Sequence, residues 1–145
     1  MDRVVCIKDS TNAALHALAL AALQDGTISA SAAASRLGVS PTYLSKILQD
    51  MAAVGIVESV RGFGGGFLLA RPANEISCLD VVEALEGASF ERYCLFESPV
   101  CISRECMIHA FCSRIQDEMR KLLSSTSVAD LAMSFLAGHD ASKEI

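Results

Sequence analysis

Four cysteines fall within 19 positions, spaced Cys94-x6-Cys101-x4-Cys106-x5-Cys112. Thiolates are soft ligands, suited to iron–sulfur clusters, zinc or copper(I). A cluster needs several thiolates converging from a loop able to wrap it, and segment 94–106, with Pro99, supplies one. The spacing lacks the paired C-x2-C knuckles of a structural zinc site, which lowers zinc and leaves it open. Cys112 has three readings: a fourth ligand, a resolving thiol, or a buried cysteine on an apolar helix face. Cys6 and Cys78 stand alone in sequence and read as structural. His16 reads as a satisfied helix residue, and His139 as part of a loose tail.

A second group of residues suits duplex DNA. Ser40, Pro41, Thr42, Tyr43, Ser45 and Lys46 form the start of a short helix. A helix fits the major groove, its N-terminal residues meet base edges, and its N-terminus favours phosphate oxygen. Some 20 residues later, Arg61 precedes Gly62-Phe63-Gly64-Gly65-Gly66. Glycine at Gly62, Gly64 and Gly65 lets a flexible hairpin tip bring its backbone close to the sugar-phosphate chain, with Arg61 reaching phosphate or the minor groove. The plainer reading of the same unit is a surface for protein contact, which the fold alone permits.

The elements that must position these residues follow from period and punctuation. Leu15, Leu18, Ala19, Ala22 and Leu23 recur at helical spacing, predicting a helix over Ser10–Gln24 that Asp25-Gly26 ends. A short helix capped by Ser29 or Ser31 runs to Leu37, and Gly38 turns the chain. Ser40 caps the next helix, with Pro41 at its first position and Leu44, Ile47, Leu48 and Met51 as its buried stripe. Ile56–Val60 and Phe67–Arg71 read as two strands joined by the glycine tip. Ser77 caps a further helix, with Asp80 making an imperfect capping box, which carries Leu79, Val82 and Leu85 and ends near Gly87. A long helix over Arg104–Leu123 carries Ile108, Phe111, Ile115, Met119 and Leu122 along one face. Ser127–Leu136 forms a weaker final helix. The fold class is mainly α with a small β-hairpin wing: a winged helix-turn-helix followed by a long C-terminal helix. Residues 1–87 make the DNA-binding domain, 88–106 the cysteine-bearing loop, and 104–137 the long helix and the C-terminal helix.

Bulk properties agree. The 145 residues fit one compact domain with an appendage, and 52% are apolar, much of it helix-favouring alanine. No run is long and apolar enough to span a membrane. Asp2, Asp9, Asn12 and His16 interrupt the apolar stretch Ala13–Leu23, and no clean cleavage site follows it, so the stretch reads as a core helix and not an export signal. Clustered cysteines without such a signal point to metal or redox chemistry in the cytoplasm, not to a disulfide framework. The net charge of -5 does not favour DNA, but its distribution does. Residues 27–72 hold four basic side chains against two acidic, whereas residues 73–100 hold one against six. No nucleotide loop, paired carboxylates or nucleophile–base arrangement argues for an enzyme.

Several motifs in the right order carry a resemblance. Leu37-Gly38-Val39-Ser40-Pro41-Thr42-Tyr43-Leu44-Ser45-Lys46-Ile47-Leu48, Val54-Gly55-Ile56-Val57, Ser59-Val60-Arg61-Gly62-Phe63-Gly64-Gly65-Gly66-Phe67 and Val81-Val82-Glu83-Ala84-Leu85-Glu86-Gly87 resemble the family of the iron–sulfur cluster regulator IscR and the nitric-oxide-sensitive repressor NsrR. The likeness spans roughly residues 10–123. It implies a cytoplasmic homodimer on a palindromic operator in double-stranded DNA, with the long helix as the dimer interface. Cluster-holding members use three cysteines before that helix, and Cys94, Cys101 and Cys106 match them. Cys106-Met107-Ile108-His109 is similar to the family's third cysteine with a histidine three residues on, which implies His109 as the fourth ligand, since positions 106 and 109 share a helix face. The fourth ligand varies among relatives, and some take an N-terminal acid from the other subunit. Asp9 lies near that region, while Asn12 holds the matching place. Cys112 stands where relatives often carry an aromatic residue.

The resemblance implies an iron–sulfur cluster, [2Fe–2S] ahead of [4Fe–4S], whose state sets operator affinity by reordering the loop and the spacing of two recognition helices. One rival keeps DNA binding but replaces the cluster with a thiol/disulfide or persulfide switch, or zinc. Relatives that sense through a bound metabolic enzyme lack cluster ligands, and four clustered cysteines argue against that route. A rival of another class is a redox or cluster-carrier protein whose winged helix only contacts protein.

Overall fold

We describe a computed structural model over residues 7–24, 26–87 and 106–141, with side chains to Ala137. Cys6, Asp25, Cys94, Cys101 and Arg104, and the side chain of His139, lie outside the described residues. The elements are α1 (Asp9–Ala22), α2 (Ala30–Leu37), α3 (Pro41–Ala53), β1 (Val57–Val60), β2 (Gly66–Leu69), α4 (Cys78–Glu86), α5 (Met107–Ser125) and α6 (Val128–Ala141). A short 3-10 turn, Ala73–Glu75, links β2 to α4. The final helix therefore runs past Leu136, where the sequence predicted its end.

Helix α1 is the hub. Eight of its side chains are buried, the apolar Ala14, Leu15, Ala17, Leu18, Ala19, Leu20 and Ala21 together with Thr11. A helix buried almost all round must be apolar all round, and its alanines let neighbouring helices come close. It packs against α2, α3, α4, α6 and β2. Leu44, Ile47, Leu48 and Met51 of α3 are buried with it, as their spacing predicts. Val128 of α6 joins the same core.

The sheet is a two-stranded antiparallel hairpin, with Val57 opposite Leu69 and Val60 opposite Gly66. Its one extra rung comes from far away in sequence: Ile28 exchanges two hydrogen bonds of 2.9 Å with Phe67.

A second long-range rung clasps the C-terminal helices to the rest. The Cys78 N–H donates to the Thr126 carbonyl and the Val128 N–H to the Ile76 carbonyl, both at 2.8 Å. Ile76 and Val128, on either side of this rung, are fully buried. The two residues at its centre, Ser77 and Ser127, each open a helix with a complete capping box. Ser77 Oγ accepts from the Asp80 N–H while Asp80 Oδ2 accepts from the Ser77 N–H, each at 3.0 Å. The box read as imperfect thus has both arms, because Asp is long enough to reach back. Ser127 and Asp130 repeat it at 2.9 and 3.1 Å.

This clasp sets the state of two titratable groups. The backbone N–H of Ser127, and then its hydroxyl, hold the Asp130 carboxyl below the usual carboxylate range. Burial, aided by the Asp130 charge, pushes the Cys78 thiol up. Cys78 is thus a buried structural cysteine.

Helix α5 behaves differently. None of its 19 residues is buried. Ile108, Phe111 and Leu122 of its apolar face are exposed, together with Met107. Only Met119 and Leu123 lean on the core.

Two outcomes follow. Asp130→Ala destabilises the protein at neutral pH. The native carboxyl is depressed, so its contribution is whole above the ordinary aspartate range and disappears as pH falls through the lowered value. Urea unfolding of both proteins across pH checks this, and a gap that persists unchanged into strong acid contradicts it. Cys78 resists iodoacetamide in the folded protein at mildly alkaline pH and reacts in urea. Mass spectrometry of the labelled peptide reads it, and rapid native labelling sinks the burial argument.

Candidate nucleic-acid interface and cysteine site

Helix α2 ends at Gly38 in the left-handed conformation, and the N-cap of α3, Ser40, follows two residues later. Ser29 caps α2 by accepting from the Ala32 N–H, and Ser40 caps α3 by accepting from the Tyr43 N–H, each at 3.1 Å. With Pro41 at its first position, α3 starts abruptly and presents its N-terminal end. Pro41, Thr42, Tyr43 and Lys46 are exposed and Ser45 is half-buried, while Leu44 between them is fully buried. Gln49, one turn on, continues the exposed stripe of Thr42, Ser45 and Lys46. Sequence reasoning stopped short of it, although its i+7 spacing from Thr42 was the available signal.

The wing tip is a hydrogen-bonded turn. Gly65 N–H donates to the Gly62 carbonyl at 3.0 Å, enclosing Phe63 and Gly64. Gly64 has φ +76, as the third residue of a type II turn requires. A side chain at Gly65 would collide with the Val60 carbonyl, so Gly65 serves turn closure. The Thr27 hydroxyl donates to the Gly64 carbonyl at 3.0 Å. With the Ile28–Phe67 rung, this pins the hairpin to the chain just before α2. Arg61 and Phe63 are exposed. Among the described residues neither Lys46 nor Arg61 forms an ion pair, so both charges are available.

At the cysteine site the described residues are Cys106, His109 and Cys112. Cys106 is the N-cap of α5, with extended backbone (φ -79, ψ 120), and not a residue within a helix as the sequence suggested. Helix α5 starts at Met107 and not near Arg104. His109, three residues after the N-cap, is exposed in the first turn, and Cys106 is half-buried. The helix N-terminus carries partial positive charge, which suits anionic donors. Cys112 is half-buried, six residues further, about 9 Å along the axis and roughly 120° around. Cys106 and Cys112 therefore do not converge on one point. Among the described residues no three His, Cys, Asp or Glu groups cluster for a metal.

Two contacts unseen in the sequence frame this region. Glu86, the last residue of α4, is only 6% exposed. It accepts a hydrogen bond of 2.7 Å from the Lys8 N–H at the start of α1. Arg120 of α5 donates to Glu83 of α4 at 2.6 Å. His16, as expected, is satisfied: its ring N–H meets the Asn12 carbonyl at 2.7 Å and its ring stands edge-on to Phe135.

Comparison with known proteins follows this geometry. The family model Rrf2, described as an iron-dependent transcriptional regulator, matches residues 7–134. The transcriptional regulator IscR of Photorhabdus laumondii is 31% identical over 108 residues, 74% of this chain and 66% of that one. Thus the chain spans about two thirds of that relative's length. Protein aau3 of Rhizobium meliloti is 51% identical over 51 residues, 35% of this chain and 33% of that one. The solved structure of T. potens IscR superposes with a TM-score of 0.71 at 24% identity, covering 90% of this chain and 88% of that one, a likeness of fold. The cysteine regulator CymR of B. subtilis gives 0.70 at 25% identity, covering 90% and 98%. The mainly helical body and the two-stranded wing agree with the fold of these structures. With its match running from the start of α1 into α6, the chain belongs to the Rrf2 family of transcriptional regulators.

Proposed function

We propose that this regulator binds a palindromic operator as a cytoplasmic homodimer and that an iron–sulfur cluster sets its affinity. The observation carrying the DNA reading is the pairing of a sharply capped α3, whose first turn is exposed, with a pinned wing bearing Arg61. Ser40, Pro41, Thr42, Tyr43, Ser45 and Lys46 face the major groove, with the Ser40 end of α3 near phosphate. Arg61, Gly62, Gly64 and Gly65 bring the wing to the backbone. The exposed apolar face of α5 is the dimer surface, since Met107, Ile108, Phe111 and Leu122 stand uncovered among the described residues.

Cys94, Cys101 and Cys106 hold the cluster, with His109 as the fourth ligand. The placement of Cys106 at a helix N-cap and His109 in the first turn supports this, as does the soft-donor chemistry of three thiolates. Cys112 stands too far around α5 to join Cys106 on one iron. When bound, the cluster supplies sensitivity to oxidants and to iron supply. The protein's part is mechanical. Residues 88–105 join the end of α4 to the start of α5, so their arrangement sets how α5 sits on the winged unit. In a dimer that sets the distance between two α3 helices, and affinity changes to the extent that the two arrangements differ in it.

Protein purified without air carries iron and acid-labile sulfide in matching amounts with visible charge-transfer absorption. Ala at Cys94, Cys101 or Cys106 removes both. Full cluster content in all three variants overturns the ligand assignment, and a colourless protein that resists anaerobic reconstitution favours a thiol switch. One solved relative is an oxidized form of S. aureus CymR, which makes that the second reading. On DNA, Arg61→Ala weakens binding and lowers the slope of log affinity against log salt by about 1. An unchanged slope removes Arg61 from the phosphate or minor-groove contact.

A further inference from the structure

Phe63 stands at the apex of the wing and is 112% exposed relative to a free reference residue. That is an unusual place for a large apolar ring. It occupies the second position of the tip turn, where nothing in the backbone geometry requires an aromatic. Its flanking residues, Gly62 and Gly64, both have positive φ and carry no side chain, and a Cβ added at either would meet nothing within 4 Å. The Gly62–Gly65 and Thr27–Gly64 hydrogen bonds place the Phe63 backbone at the outer end of the turn. Arg61 lies two residues before it, exposed and, among the described residues, in no ion pair.

We propose that Phe63 is an apolar anchor that packs against the deoxyribose walls of the DNA minor groove beside the Arg61 contact. This rests on the DNA-binding reading of the wing. A guanidinium and a ring two residues apart address two chemistries side by side in a narrow groove: phosphate or base-edge acceptors for Arg61, and the apolar faces of sugars for Phe63. The hydrogen-bonded turn sets the backbone in advance, so contact orders only the two side-chain torsions of the ring and the burial gain outweighs that cost. Grooves differ in width with sequence, so such an anchor makes the wing sensitive to base pairs it never hydrogen-bonds.

The test uses a duplex enriched by the full-length protein from a random-sequence pool. Phe63→Ala binds that duplex about tenfold more weakly, with the salt slope unchanged, because an apolar ring displaces no counterions. Phe63→Leu keeps most of the affinity. Hydroxyl-radical footprinting, which attacks minor-groove sugars, loses protection under the wing with Phe63→Ala and keeps it with Phe63→Leu. Thermal unfolding of both variants matches the native protein, since the ring packs on nothing. Equal affinity and an unchanged footprint for Phe63→Ala overturn the proposal and leave the ring for a protein partner. Weaker binding with a reduced salt slope also overturns it, because the change would then be in the charged contacts. Failure of the native protein to enrich any duplex overturns the DNA reading itself, a result separate from the other two.

Discussion

The rung between Ile76–Cys78 and Thr126–Val128 is the constraint on which the C-terminal half depends. Helix α5 has no buried residue of its own and would leave the body without an anchor at its far end. Two backbone hydrogen bonds of 2.8 Å, flanked by the fully buried Ile76 and Val128, provide that anchor. Ser77 and Ser127 sit back to back in the rung, and each starts a helix with its own Asp. One short pairing thus fixes the directions of α4 and α6 together. Arg120–Glu83 adds a second, more exposed tie between α5 and α4. The opposite end of α5, at Cys106, is the end that residues 88–105 reach.

The same economy appears in α1. Its alanines allow close approach by several helices, so the winged unit and α6 share one core through it. At its N-terminus the buried Glu86 carboxylate takes the Lys8 N–H and satisfies one of the donors every helix start exposes. A buried carboxylate there is tolerated because it is hydrogen-bonded. The end of α4, from which the cysteine-bearing segment departs, is thereby joined to the hub.

Much of this was legible in the sequence where the determining interaction is local. Ser29, Ser40 and Ser77 each cap a helix three residues from the N–H they accept, and the stripe of Leu44, Ile47, Leu48 and Met51 is a matter of period. The order of the winged unit was legible on the same grounds, and the regulator family from the resemblance that its ordered motifs carry. What was not legible depends on residues far apart in the chain. Thr27 and Gly64 are 37 positions apart, and no pattern announces their bond; without it the glycine tip reads as loose. The apolar stripe of α5 signals a face that needs covering but not that it stays uncovered within one chain. Cys106 was read as helical because helix starts are blurred to a residue or two, and here that difference moves a sulfur from a helix face to a helix end. Glu86 gave no sign at all, since a carboxylate at the end of an apolar helix is ordinarily solvated.

The pinning of the wing has a consequence for how such a regulator discriminates. Thr27 and Ile28 hold the hairpin to the very segment that leads into α2 and α3, so hairpin and recognition helix form one stiff reading head. A stiff head has a single preferred footprint of bases. In the proposed dimer, a signal carried by the cysteine segment would change the gap between two heads but not the letters either head prefers. Operators that respond to the signal and operators that ignore it would then share the same half-site and differ in the number of base pairs that separate its two copies.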